Sequence, residues 1–83
     1  MQPIDEGTEY RIRGRIEQVG PEEFVVTARA IPDNGDLSRM QSLTETVSSM
    51  QEARDRAKGL VAKMREIVAM NSGRVTEVEI NGL

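Results

Sequence analysis

Arg11, Arg13 and Arg15 stand at alternate positions, and Arg29 follows in the next alternating run. Alternate residues of a strand share one face, about 7 Å apart. Three guanidiniums on such a face form a stripe able to follow an anionic backbone. The same arginines can instead be satisfied inside the chain, by cross-strand pairing with Glu77 and Glu79, and this is the preferred reading. The net charge of −3 weakens the case for nucleic acid, which favours a basic surface.

The remaining chemistry-bearing residues are few. Asp33, Asn34 and Asp36 surround Gly35, and oxygen ligands this close invite a Ca²⁺ reading. An EF-hand loop needs ligands at alternate positions and a closing Glu; Gly35 and Thr44 fall where ligands are required, so turn formation explains the cluster. Metal-assisted hydrolysis needs grouped carboxylates. Glu17, Glu77 and Glu79 are the only strand carboxylates placed for it, and arginines interleave with them. The chain has no His and no Cys, which removes the commonest general base and thiolate chemistry. The expectation is no catalytic site, no metal, no cofactor and no enzyme.

What positions these residues is a set of short alternating runs around one helix. Tyr10 to Gln18 places Tyr10, Ile12, Gly14 and Ile16 on one face and the arginines on the other. Phe24 to Ile31 repeats the pattern, with Phe24, Val26, Ala28 and Ala30 inward and Val25, Thr27, Arg29 and Ile31 outward. Val19-Gly20-Pro21-Glu22 between them is turn chemistry, so the two runs form an antiparallel hairpin. A leader over 1–8 and a loop over 32–42 complete this half. Leu43 to Val47 reads as a third strand, being rich in β-branched residues. Its rival is a single helix from about Asp36 to Asn71, along a heptad-like spacing of Met40, Leu43, Val47 and Met50. Ser49 and Glu52 decide for the strand, because they form a capping box that marks a fresh start.

The helix over 49–72 then carries Met50, Ala53, Ala57, Leu60, Val61, Met64, Ile67 and Val68 in one arc. Gly73 is expected at the left-handed position that ends it. Gly59, Ala62, Glu66 and Ala69 form a separate line of mostly small residues. Arg74 to Asn81 is a last strand, with Val75, Glu77 and Glu79 on one side and Thr76, Val78 and Ile80 on the other. The predicted fold is a single α+β domain over 1–83 with element order β-β-β-α-β. Its four-stranded mixed sheet has order 4-1-2-3, and one helix is packed on one face. The other face is left open.

A chain of this order and length resembles the HicB-like antitoxin domains of bacteria, which carry a partial ribonuclease-H-like fold. The pieces that carry the resemblance are Phe24-Val25-Val26, Pro32-Asp33, and Glu52-Ala53 after Ser49. The resemblance implies a small toxin-binding partner protein. It departs from the family pattern at Asn34-Gly35-Asp36, in the longer loop to Ser42, and in having no DNA-binding segment after the domain. Two functional expectations follow. One is a non-enzymatic protein-interaction module, antitoxin-like in its sharper form and homodimeric. It would associate through Val25, Ile31 and Val75 on the open face, the strand edge at Thr46, or the helix line at Gly59 and Ala62. The other is a nucleic-acid-binding module using Arg11, Arg13, Arg15 and Arg29. A cytoplasmic location is expected, since no apolar run approaches the ~18 residues of a membrane span.

Overall fold

The computed structural model describes residues 8–35 and 37–82. The order of elements is β1 (Thr8–Gly20), β2 (Glu23–Pro32), a 3₁₀ turn (Leu37–Arg39), β3 (Gln41–Val47), α1 (Met50–Met70) and β4 (Gly73–Asn81). The sheet order is β3-β2-β1-β4. β1 pairs antiparallel with β2, and β2 antiparallel with β3, while β4 runs parallel to β1. This is the α+β fold with the predicted strand order: α1 carries the chain from one edge of the sheet to the other.

Several boundaries differ from those expected. Of the leader over 1–8, Thr8 already belongs to β1, and the rest lies outside the described residues. The loop over 32–42 is shorter at both ends, since Pro32 closes β2 and Gln41 opens β3. Asp33 and Asn34 make a turn between them, with Gly35 at φ 79. The Asp33 backbone N–H donates to the Glu9 carbonyl at 2.8 Å, extending the hairpin past Pro32. Asp36 is outside the described residues.

The core follows from alternation. Tyr10, Ile12 and Ile16 from β1, and Phe24, Val26, Ala28 and Ala30 from β2, are buried beneath Ala53, Ala57, Leu60, Val61, Met64 and Val68 of α1. Large side chains are scarce, so the helix sits close to the sheet. The Gly14–Ala28 pair forms a low floor, and a Cβ at Gly14 would lie 3.3 Å from Ile80 Cγ1 and 3.4 Å from Val61 Cγ2. The edge strands are less well covered: Leu43, Val47, Val75, Val78 and Ile80 are only half-buried against this core.

The two helix ends each correct an expectation. Ser49 is the N-cap, and its hydroxyl accepts from the Glu52 N–H at 3.1 Å. The reciprocal arm of the capping box does not form. Glu52 Oε1 instead accepts from the hydroxyls of Ser48, at 3.0 Å, and Ser49, at 3.4 Å. Having two serines in a row offers the carboxylate a nearer donor than the backbone. At the other end Asn71 is the C-cap, and its side-chain amide donates to the Ile67 carbonyl at 2.8 Å. The left-handed residue is Ser72, at φ 62, not Gly73. Gly73 is required for a different reason. A Cβ there would lie 2.6 Å from Tyr10 Cε1 and 2.9 Å from Val68 Cγ1, distances no side chain tolerates without movement.

Candidate functional site

The open face of the sheet can be read rung by rung from the strand registers. One rung is Glu77, Arg11 and Ile31. The next is Glu79, Arg13, Arg29 and Ser42. The third is Asn81, Arg15, Thr27 and Thr44, and the fourth is Glu17, Val25 and Thr46. All four expected arginines therefore share this face, as alternation requires.

Their pairing is the expected one only in part: Arg13 meets Glu79, and Arg11 does not pair with Glu77. Arg11 takes Asp33, with Nε to Oδ1 at 2.9 Å, and not Glu77. That hydrogen bond, followed by the Asp33 charge, holds the Arg11 guanidinium above its usual pKa. Arg13 has Glu79 at 3.9 Å, the outer limit of an ion pair. Arg15 and Arg29 have no ion-pair partner among the described residues. Other glutamates pair elsewhere: Glu9 with Arg74 at 2.8 Å, and Glu45 with Arg56 on α1 at 3.2 Å. Spacing along the strands placed the arginines on one face and Arg13 beside Glu79, but it gave no sign that Arg11 would take Asp33. The Asp33 contact depends on the hairpin register that sets Tyr10 opposite Pro32.

The aliphatic patch expected on this face does not form. The β1–β4 register shifts between Tyr10 and Arg11, so that Tyr10 lies opposite Val75 and Arg11 opposite Glu77. Thr76 is the extra residue of a β-bulge, and its hydroxyl donates to the Tyr10 carbonyl at 3.3 Å. The bulge reverses the parity of the strand. Val75 consequently packs inward with Val78 and Ile80, instead of joining Val25 and Ile31. Those two lie at opposite ends of β2, about 20 Å apart along an extended chain, with Thr27 and Arg29 between them.

What the face does hold is a depression lined by Arg13, Arg15 and Arg29, with Thr27, Asn81 and Glu17 at its walls. Alternation had set Thr27 on this face, while Asn81 joined the site only through the β1–β4 register. Of the other candidate surfaces, Gly59 and Ala62 are exposed on the outer side of α1, and nothing lies within 4 Å of the place a Gly59 Cβ would occupy. Thr46 is exposed on β3, an edge strand. Among the described residues no three carboxylates stand as a metal-ligand group, and no helix is long and apolar enough to cross a membrane. Compared with protein-family models, curated proteins and solved structures, the chain gives no match.

Proposed function

We propose that this chain is a non-enzymatic protein-interaction module that works as a homodimer, and that its sharper form is antitoxin-like binding of a toxin-like protein partner. The observation that supports this reading is the β3 edge. Its register with β2 runs unbroken from Phe24 opposite Val47 to Ala30 opposite Gln41. It contains no Pro, no Gly and no Lys, and its single charge, Glu45, is engaged by Arg56 of α1. An edge of this kind offers unpaired backbone N–H and C=O groups to another strand. Leu43 and Val47, half-buried at that edge, gain cover when a second copy pairs there about a two-fold axis.

Sedimentation equilibrium tests the proposal. A dimer is expected at tens of micromolar, the regime of a modest interface. Thr46→Lys places a charge on each of the paired edges and should weaken the dimer. Ala62→Glu on the helix and Val25→Glu on the open face should leave it intact. A monomer throughout that range removes the proposal.

The second reading, nucleic-acid binding, draws support from Arg15 and Arg29 lacking ion-pair partners among the described residues. Phosphate contacts release counterions, so RNA or DNA binding through this face would weaken steeply with salt. Binding that is insensitive to salt would exclude it.

A further inference from the structure

We propose that Arg13, Arg15 and Arg29 form a binding site for the dianion of a small phosphate monoester. Arg13 and Arg29 are directly opposite on adjacent antiparallel strands. Like charges in that position destabilise a sheet. Arg15, one rung along the same strand, brings a third guanidinium to the same depression. Glu17 is the one carboxylate lining it, and Glu79 stands 3.9 Å from Arg13. The chain as a whole has a net charge of −3, so this concentration of positive charge runs against its overall balance.

The surroundings select a compact anion over a polymer. Once Arg11 is held by Asp33, the remaining arginines form a triangle and no longer a stripe. Three guanidiniums supply donors in the fork geometry that phosphate oxygens accept. The Thr27 hydroxyl and the Asn81 amide line the same depression and add neutral donors. Three arginines against Glu17 leave an excess of positive charge in the lining, which Glu79 beside Arg13 reduces without cancelling and which a compact phosphate offsets. Nucleic acid fits less well. Glu77 and Glu79 border the arginines along β4, where a phosphodiester backbone would be repelled. The face also has no aromatic platform for bases, because Tyr10 and Phe24, the only two aromatics in the chain, are buried in the core. The proposal is independent of the dimer, since β3 edge pairing leaves this face uncovered.

The test is an amide NMR titration of the full chain with glycerol phosphate, at constant ionic strength in a chloride background. Saturable shifts are expected at Gly14, Arg15, Thr27 and Arg29. The Arg15→Gln/Arg29→Gln variant should lose roughly tenfold or more in affinity, while Arg54→Gln on the solvent side of α1 should lose none. Without ligand, Arg29→Gln should raise the melting temperature by roughly 1–4 °C at low salt, because it relieves the like-charge pair. That gain should vanish at high salt. Shifts that never saturate, or that are unchanged in the double variant, overturn the proposal. So does a fall in melting temperature for Arg29→Gln at low salt, or a short single-stranded RNA binding more tightly than glycerol phosphate.

Discussion

The two edges of the sheet are built from opposite materials. β3 pairs with β2 without interruption and shows an almost uncharged run, Gln41 to Val47. β4 is interrupted by the bulge at Thr76 and carries Arg74, Glu77 and Glu79. Bulges and charges are the devices by which sheet edges avoid pairing with another chain. The contrast marks β3 as the edge where a second strand can add. One edge is guarded twice over, by geometry and by charge, and the other by neither.

The largest effect is expected at the seam that fixes β4. Gly73→Ala forces a Cβ into the Tyr10 ring and Val68, and an overpacked site of this kind costs about 1–3 kcal/mol. Urea denaturation should show that loss. Gly59→Ala, where the space is open, should instead stabilise the chain by up to about 1 kcal/mol through helix propensity. If the two alanines behaved alike, β4 would not be locked to the core as described.

At the free edge, Thr46→Lys should weaken dimerisation about tenfold or more, equivalent to ~1.4 kcal/mol. Replacing Glu77 and Glu79 together by threonine should create no larger oligomer, because the bulge alone still interrupts the ladder. Higher species in light scattering would show that charge, not geometry, guards β4.

Ser49→Ala removes the one formed arm of the helix cap where β3 hands over to α1, and should cost on the order of 1 kcal/mol in thermal or urea unfolding. Glu52→Gln should cost less, since the Glu52 carboxylate accepts only from serine hydroxyls. The smallest effect belongs to Arg13 and Glu79. Their side chains are 54% and 50% exposed and 3.9 Å apart, so a double-mutant cycle should give about 0–0.5 kcal/mol of coupling. The coupling between Arg11 and Asp33 should exceed it, because that pair is hydrogen-bonded.

Local pattern was enough to set the elements, and the faces of β1 and β2. Period-two alternation in β1 and β2 set Ile12 and Val26 inward and Arg13 and Arg29 outward, because successive strand side chains must point to opposite sides. The serine cap separated β3 from α1, because an N-cap hydroxyl competes with continued helix for the same backbone donor. The strand order followed once the helix was taken to cross the hairpin, which lands β4 parallel beside β1. Only the tertiary structure decided the rest. A bulge is a mismatch between two strands, so Thr76 and the reversal of Val75 are invisible along either one alone. The need for Gly73 lies in the Tyr10 ring, more than sixty positions away in the chain. That Arg11 meets Asp33 was settled by cross-strand register, to which alternation is blind. Alternation gives the face of a side chain only where the ladder is unbroken, and nowhere the neighbour it meets there.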